Sequence, residues 1–510
     1  MRPHSITEAL ENWAKVNPSN IALAWNKERW SYHYLNQQVN RLANAFGNSG
    51  NVKSKFVWGC IGKTPELIVT FLAAAKVGLV YVPVNPKHGP EDLAPILHSA
   101  RPSCVIAASE CLETVLFTLK SEGLTNEVSI IECSSKRQST KKTGWHDIIS
   151  GARSSRPNVS IQLSEPIYLN YTSGTTGLPK GAITTHENIF WNSMSAINVL
   201  KLSRSDIHLC AFPAHIHPHE IFSRSLYLGG SVVLAEPEMD QIWKAINDNN
   251  VTCMMANPSL YVLFDQHVKR RKKEFGGLRV AESGGSITPS ALIKTFKHSF
   301  DSHMVPVWGS TETTGIAIAA YDYPEDPKEG FLGNACPFYD LTVINDRKDP
   351  AKPGEVGQLV VRGPGVTQGY FGAPAENERK FYHGSYLTGD LVVRDTDNRF
   401  YFQSRINDMI KVAGLKVYPK EVEAVLILHP KISDVAVIGK PNGVRGEEIH
   451  AFIVLKKGEK LKVIDVIQFC RTKLEDYKLP RHFSFVASLP RNQSGKVDRA
   501  ELRRRATIND

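Results

Sequence analysis

Residues 171–182 read YTSGTTGLPKGA and follow an apolar run, PIYLN, suited to a strand. Five hydroxyl residues (Tyr171, Thr172, Ser173, Thr175, Thr176), three glycines and Lys180 fall within this one stretch. Glycine lets backbone N–H groups approach phosphate oxygens, hydroxyls donate to the same oxygens, and the lysine adds positive charge. The composition therefore predicts a phosphate-cradling loop. Pro179 stands where the G-x-x-x-x-G-K-[ST] pattern needs its second glycine, so this is not that loop. Taken alone, the cluster also suits a plain surface loop.

Outward from it, apolar runs alternate with helical patterns: FVWGCIG, a helix over 67–76, LVYVPVNP and PSCVIAAS. Strand, helix, strand repeats of this kind predict parallel sheets covered by helices, an α/β class. Past Glu355 the texture changes to short strands, GQLVVRG and LVVRDTDNRFYFQS, joined by turns. The C-terminal residues change again. Pro419 opens a helix (KEVEAVLILH), DVAVIGK and HAFIVLKK read as strands, VIDVIQFCRTKLEDY as a helix and HFSFVASL as a last strand. That is a compact α+β module. The expected division is a large unit over 1–403, a connection over 404–408 and a small unit over 409–510.

Composition narrows the class. With 510 residues, 42% hydrophobic and 22% charged, the chain is globular rather than disordered or fibrous. Its eight cysteines (Cys60, Cys104, Cys111, Cys133, Cys210, Cys253, Cys336, Cys470) include no C-x-x-C pair, which argues against a zinc ribbon or disulfide scaffold. The N-terminal stretch has no signal-peptide core and the last residues, TIND, no lipidation signal, so a reducing cytoplasm is expected. The longest apolar stretch, 67–84, holds Lys76, Gly78 and Pro83; it reads as a core helix and a buried strand, not a membrane span. Net charge is +10, and residues 404–510 hold most of it, with 21 Lys and Arg against 13 Asp and Glu. The excess is either a solvated basic face or a surface for a polyanion: nucleic acid, anionic lipid or a multiply phosphorylated cofactor.

Further segments join the first: WGSTETTG (308–315), GEVGQLVVRGPGVTQGY (354–370), YLTGDLV (386–392), RINDMIKVAGLKVYPKEVE (405–423) and PRNQSGKVDRAELR (490–503). In these the chain resembles the adenylate-forming superfamily, which includes acyl- and aryl-CoA synthetases, firefly luciferase and the adenylation domains of nonribosomal peptide synthetases. The resemblance implies an α/β fold with a large N-terminal domain of α/β layers, a β-rich subdomain and a small mobile C-terminal α+β domain. It implies ATP, Mg2+ and CoA. By position it puts Thr172, Ser173, Thr175, Thr176 and Lys180 on the β- and γ-phosphates. Trp308, where relatives usually have Tyr, would stack on adenine, with Gly309 beside it and Gly284, Gly285 and Ser286 along the ring edge. Thr311 would touch the α-phosphate, Glu312 would hold Mg2+, Asp390 would accept the ribose hydroxyls, and Arg405 would reach ribose or phosphate. Lys496 would stabilise the adenylation transition state, an electrostatic role. Asn407 stands at the hinge, where the family commonly has Asp or Lys.

The resemblance also bears on the substrates. In amino-acid-activating relatives an Asp in the segment here written FPAHIHPHE pairs with the substrate ammonium; His215 takes that place, which disfavours an α-amino acid. The expected acid is aryl, fatty or dicarboxylic, in a pocket with His215, His217, Arg224 and Gly315. H-x-H-x-H would set three rings on one face of a strand, the pattern of a metal site, but Pro218 interrupts the strand and the family needs no such metal; a cluster for a second carboxylate and an ordinary gate with surface histidines are the other readings. Lys411, Gly414 and Lys416 are expected along the CoA path. The partners expected are a small acid and CoA, with no nucleic acid and no stable membrane insertion; a homodimer stays open. Three competing readings are a ligase that loads a carrier protein, an oxygen-dependent luciferase, and a nucleic-acid-binding protein on a degenerate fold.

Overall fold

The computed structural model describes residues 2–48, 54–133, 144–173, 179–271, 278–300, 302–324, 327–328, 330–491 and 497–508. Among them the strands form three sheets. A six-stranded sheet has the order Ser129–Cys133, Pro102–Ala108, Phe56–Cys60, Val80–Pro83, Pro166–Ser173, Pro179–Thr185. Its neighbours run parallel except the last two strands, an antiparallel pair that brackets residues 174–178. The apolar stretch over 67–84 resolves as expected into helix Pro65–Lys76, buried along its length, and the buried strand Val80–Pro83. A helix apolar all round belongs inside a core. Lys76 is tolerated there because its ammonium meets Glu11 at 2.8 Å and Asn40 at 2.7 Å. No helix among the described residues is long and apolar enough to cross a membrane.

A second, larger sheet is mixed. Ile21–Trp25, Ser231–Leu234, Ile207–Cys210, Cys253–Ala256, Val280–Ser283 and His303–Ser310 run parallel in that order. Antiparallel strands, among them Gly315–Ala319, Ser385–Arg394 and Phe400–Arg405, continue it as the expected β-rich portion. Central parallel strands are buried on both faces, so their sequences should be apolar throughout. His208 and Glu282 break that rule, and both recur below.

The third sheet uses only residues of the C-terminal module: Leu415–Val417, Ile410–Val412, Gly446–Leu455 and Ile432–Asn442, with His482–Phe485 added parallel to Gly446–Leu455. The large sheet ends at Arg405 and the small one starts at Ile410; a 3-10 turn, Ile406–Asp408, joins them. The helix read over VIDVIQFCRTKLEDY is shorter than expected, Val463–Arg471, because the N–H groups of Lys473 and Leu474 both turn back onto the Cys470 carbonyl.

Candidate active site

The hydroxyl-rich stretch begins in strand Pro166–Ser173, where Thr172 pairs with Lys180 across the hairpin. Thr175, Thr176 and Lys496 lie outside the described residues, as does the side chain of Ser173. Lys180 does not project freely. Its ammonium sits 3.1 Å from Glu376 Oε1 and 6.0 Å above the centre of the Tyr370 ring.

Tyr370 links this lysine to the metal-ligand candidate. Its hydroxyl donates to Glu312 Oε1 at 2.5 Å, and Glu312 is buried. Tyr386 is buried nearby, and burial together with the Glu312 charge pushes both phenols above their ordinary range. A phenol that stays protonated is a donor, so Tyr370 aims the carboxylate. An anion tied only to neutral donors among the described residues is the hard oxygen site a divalent cation completes, so the residues fit Mg2+. The sequence reading missed Tyr370, Tyr386 and Glu376. Two of them, Tyr370 and Tyr386, stand inside the quoted segments GVTQGY and YLTGDLV, so a tyrosine within each segment was the available signal.

The nucleotide candidates converge on one carboxylate. The Trp308 indole N–H donates to Asp390 Oδ2 at 2.9 Å, and Arg405 Nε donates to Oδ1 at 3.2 Å. Asp390 raises the Arg405 guanidinium further above its ordinary range. Each oxygen can accept a second bond, which leaves acceptor capacity for a diol. Gly284, Gly285 and Ser286 follow strand Val280–Ser283, which pairs with the strand that carries Trp308. A Cβ at Gly309 would stand 2.2 Å from the Gly315 carbonyl oxygen, so only glycine closes that hairpin. Thr311 and Glu312 lie on a 3-10 turn at its tip.

The acid-pocket candidates require corrections. The chain does leave the extended form at Pro218, as that residue implied: Pro218–Ile221 is a 3-10 turn, and the three imidazoles do not share a face. His219 is fully buried between the Tyr168 hydroxyl (2.9 Å) and the Thr314 carbonyl (3.0 Å). His215 faces His88, ring centres 6.5 Å apart, and burial lowers it to about 4, so its ring is neutral at pH 7. His217 Nδ1 lies 4.0 Å from Glu220 Oε2. No group of three metal-ligating side chains occurs among the described residues. Arg224 offers no open guanidinium to a second carboxylate: it is buried and held by Glu282 at 2.5 Å and Glu220 at 3.3 Å. Gly315, at φ +125°, packs against that cluster.

The remaining candidates sit on the small sheet. Lys411 and Lys416 are directly opposed across two short strands joined by Ala413 and Gly414, both at positive φ. Nothing within 4 Å would meet a Cβ on Gly414, so it marks open space at a hairpin tip. Lys416 pairs with Asp346 on the large unit. Asn407, in the connecting turn, accepts a bond from Arg503 at 3.1 Å through its carbonyl, and Asp408 pairs with the same guanidinium at 2.8 Å.

The family model for the AMP-binding enzyme matches residues 10–371, and that for the AMP-binding enzyme C-terminal domain matches 421–496. The chain belongs to the AMP-binding enzyme family. It is 28% identical to the indoleacetate–CoA ligase of Aromatoleum aromaticum over 98% of this chain and 97% of that one. It is 30% identical to 4-hydroxybutyrate–CoA ligase 1 of Metallosphaera sedula over 96% and 88% of the two chains. In fold this AMP-binding enzyme is similar to the anthranilate CoA ligase AuaEII in complex with anthranoyl-AMP, with TM-score 0.87, 24% identity and 99% and 98% coverage.

Proposed function

We propose that this AMP-binding enzyme is an ATP-dependent carboxylic acid:CoA ligase that works through an acyl-adenylate. In the first step the acid's carboxylate attacks the α-phosphate and pyrophosphate leaves. In the second the CoA thiol attacks the acyl carbon and AMP leaves. The carrying observation is a pair of prepared carboxylates: Asp390, on which Trp308 and Arg405 converge, and Glu312, held by Tyr370 with Lys180 alongside. The first set offers an aromatic face beside acceptors for a diol. The second aims an anion and an ammonium into one region, which suits a polyphosphate and its counter-ion. Mg2+, held by Glu312, would neutralise charge on the phosphate oxygens. Lys180 would leave Glu376 for those oxygens, and Lys496 would answer the charge that gathers as the carboxylate attacks.

Full-length similarity to CoA ligases, together with the opposed Lys411 and Lys416, supports free CoA as acceptor. A polyanion that displaced Asp346 from Lys416 would meet both ammonium groups. A neutral His215 in place of an aspartate supports an acid without an α-amine. The test is pyrophosphate release over a panel of carboxylic acids, followed by AMP release with free CoA against a phosphopantetheinylated carrier. Release only with the carrier would replace the CoA reading by the carrier-loading one.

Two substitutions probe the parts. Tyr370→Phe removes the donor that aims Glu312, and loss of such a supporting bond typically lowers metal affinity about 10- to 100-fold. Activity should fall at limiting Mg2+ and recover at excess; an equal loss at all Mg2+ concentrations would contradict the role. For the hinge, Asn407→Pro fixes φ in the Ile406–Asp408 turn. If the small unit at 409–510 turns there between steps, one half-reaction should survive and the other fail. An equal loss in both would move the hinge elsewhere.

A further inference from the structure

Cys253, Val280 and His208 stand side by side on three parallel strands, and Met255, Glu282 and Cys210 form the next row on the same face. Helix Ser223–Leu228 covers this face and lowers Arg224 onto it. A cavity of about 20 Å³ lies between them, lined on its polar side by His208, Glu220, Arg224 and Glu282. That space holds about one water-sized group. His208 Nε2 is buried there with no hydrogen-bond partner among the described residues.

The cavity adjoins the proposed reaction site. A Cβ on Gly315 would stand 2.5 Å from Glu220 Oε1 and 2.8 Å from Asn192 Oδ1. Gly315 follows the turn that carries Thr311 and Glu312. Through Glu220 the cluster therefore lies beside the hairpin that carries the metal-ligand candidate. Two carboxyl groups share one guanidinium, so with both ionised the cluster keeps one uncompensated negative charge. A second carboxylate there would add like charge in a site too small for it.

We propose that the Glu220–Arg224–Glu282 cluster is the far wall of the acid pocket and selects an acid that carries one hydrogen-bond donor head, a hydroxyl or an ammonium, opposite its reacting carboxylate. This rests on the ligase reading above. The head donates to Glu220. The same wall disfavours unsubstituted and dicarboxylic acids of equal length.

The test is kcat/KM for pyrophosphate release with ATP, Mg2+ and CoA over matched sets: butyrate, 4-hydroxybutyrate, 4-aminobutyrate and succinate, then benzoate, its 4-hydroxy and 4-amino forms, and terephthalate. A donor-bearing acid should exceed both the unsubstituted acid and the diacid by about 10⁴-fold, since a site built around a hydrogen bond rejects the analogue that lacks it. Whichever of the hydroxy and amino members is preferred tells a neutral donor from a cation. Glu220→Gln should erase the preference for an amino acid of this kind over its unsubstituted analogue. Turnover that favours the unsubstituted acid or the diacid would overturn the proposal and leave the ligase reading standing. If no carboxylic acid released pyrophosphate, the ligase reading would fall and this inference with it. Should the variant fail to fold, the comparison of acids on the unaltered enzyme decides alone.

Discussion

Lys496→Ala lowers acid-dependent ATP–pyrophosphate exchange by about 10²-fold or more, the scale of losing one preorganised electrostatic donor, and leaves conversion of supplied acyl-AMP and CoA to thioester near its full rate. The reasoning is electrostatic. During adenylation an incoming carboxylate and an α-phosphate approach each other, both anionic, and negative charge on the phosphate oxygens is greatest between them. An ammonium fixed in advance lowers that barrier at no cost of reorganisation. In thioester formation the phosphate is already the leaving group, and the charge that matters moves to the acyl carbon and the sulfur. On the proposed mechanism the small unit has by then turned about the Ile406–Asp408 connection, with Lys496 away from the site and the Lys411 and Lys416 strands facing it. One synthetic acyl-AMP and two assays separate the steps. Equal loss in both would mean that Lys496 serves binding or folding, and the two-position mechanism would be wrong.

What could be read from the amino acids alone, and what could not, divides along a physical line. The strand before the hydroxyl-rich loop, the core helix over 65–76 and the small α+β module were legible because each is written in local periodicity. Asp390 and Trp308 were legible only through resemblance; nothing local says that an indole N–H meets that carboxylate. Lys180 with Glu376, and Tyr370 with Glu312, pair segments far apart in the chain, and only the fold brings them together. For the three histidines the local signal was Pro218, which interrupts the alternation of FPAHIHPHE, and a 3-10 turn does start there; that His219 is buried against Tyr168 and Thr314 is written only in the fold. Arg224, by contrast, was misread. A lone arginine reads as a free cation until its acidic partners are known, and one of them, Glu282, sits in the buried strand VAES. That strand and IHLC each carry a polar side chain where a central parallel strand should be apolar, and this was the signal for the buried cluster.

Arg224→Met should destabilise the enzyme by about 3–5 kcal/mol, the usual result of stranding a buried charge by removing its partner. Methionine is close in volume and apolar, so the loss would report the ion cluster rather than a cavity. Its pH dependence follows from the carboxyl groups left behind. Burial already pushes Glu220 up to about 7 against an ordinary 4.5, and Arg224 draws it only partly back; Glu282 is raised for the same reason. A carboxyl raised on folding holds its proton more tightly in the native state than in the unfolded chain. Its favourable contribution is complete below the ordinary value and is lost as pH climbs through the native one. The unaltered enzyme should therefore lose stability from Glu220 between pH 4.5 and about 7, and Glu220→Gln should flatten that slope. Without the guanidinium both carboxyls rise further, so Arg224→Met should be tolerated best in acid and worst at pH 8. Adding Glu220→Gln and Glu282→Gln should restore much of the loss, since neutral amides leave no stranded charge. Urea unfolding of the single and triple variants at pH 5 and pH 8 is the measurement. An Arg224→Met enzyme as stable as its parent at pH 8 would show that water already reaches the cluster, and a cluster open to water could not discriminate between a donor head and a second carboxylate.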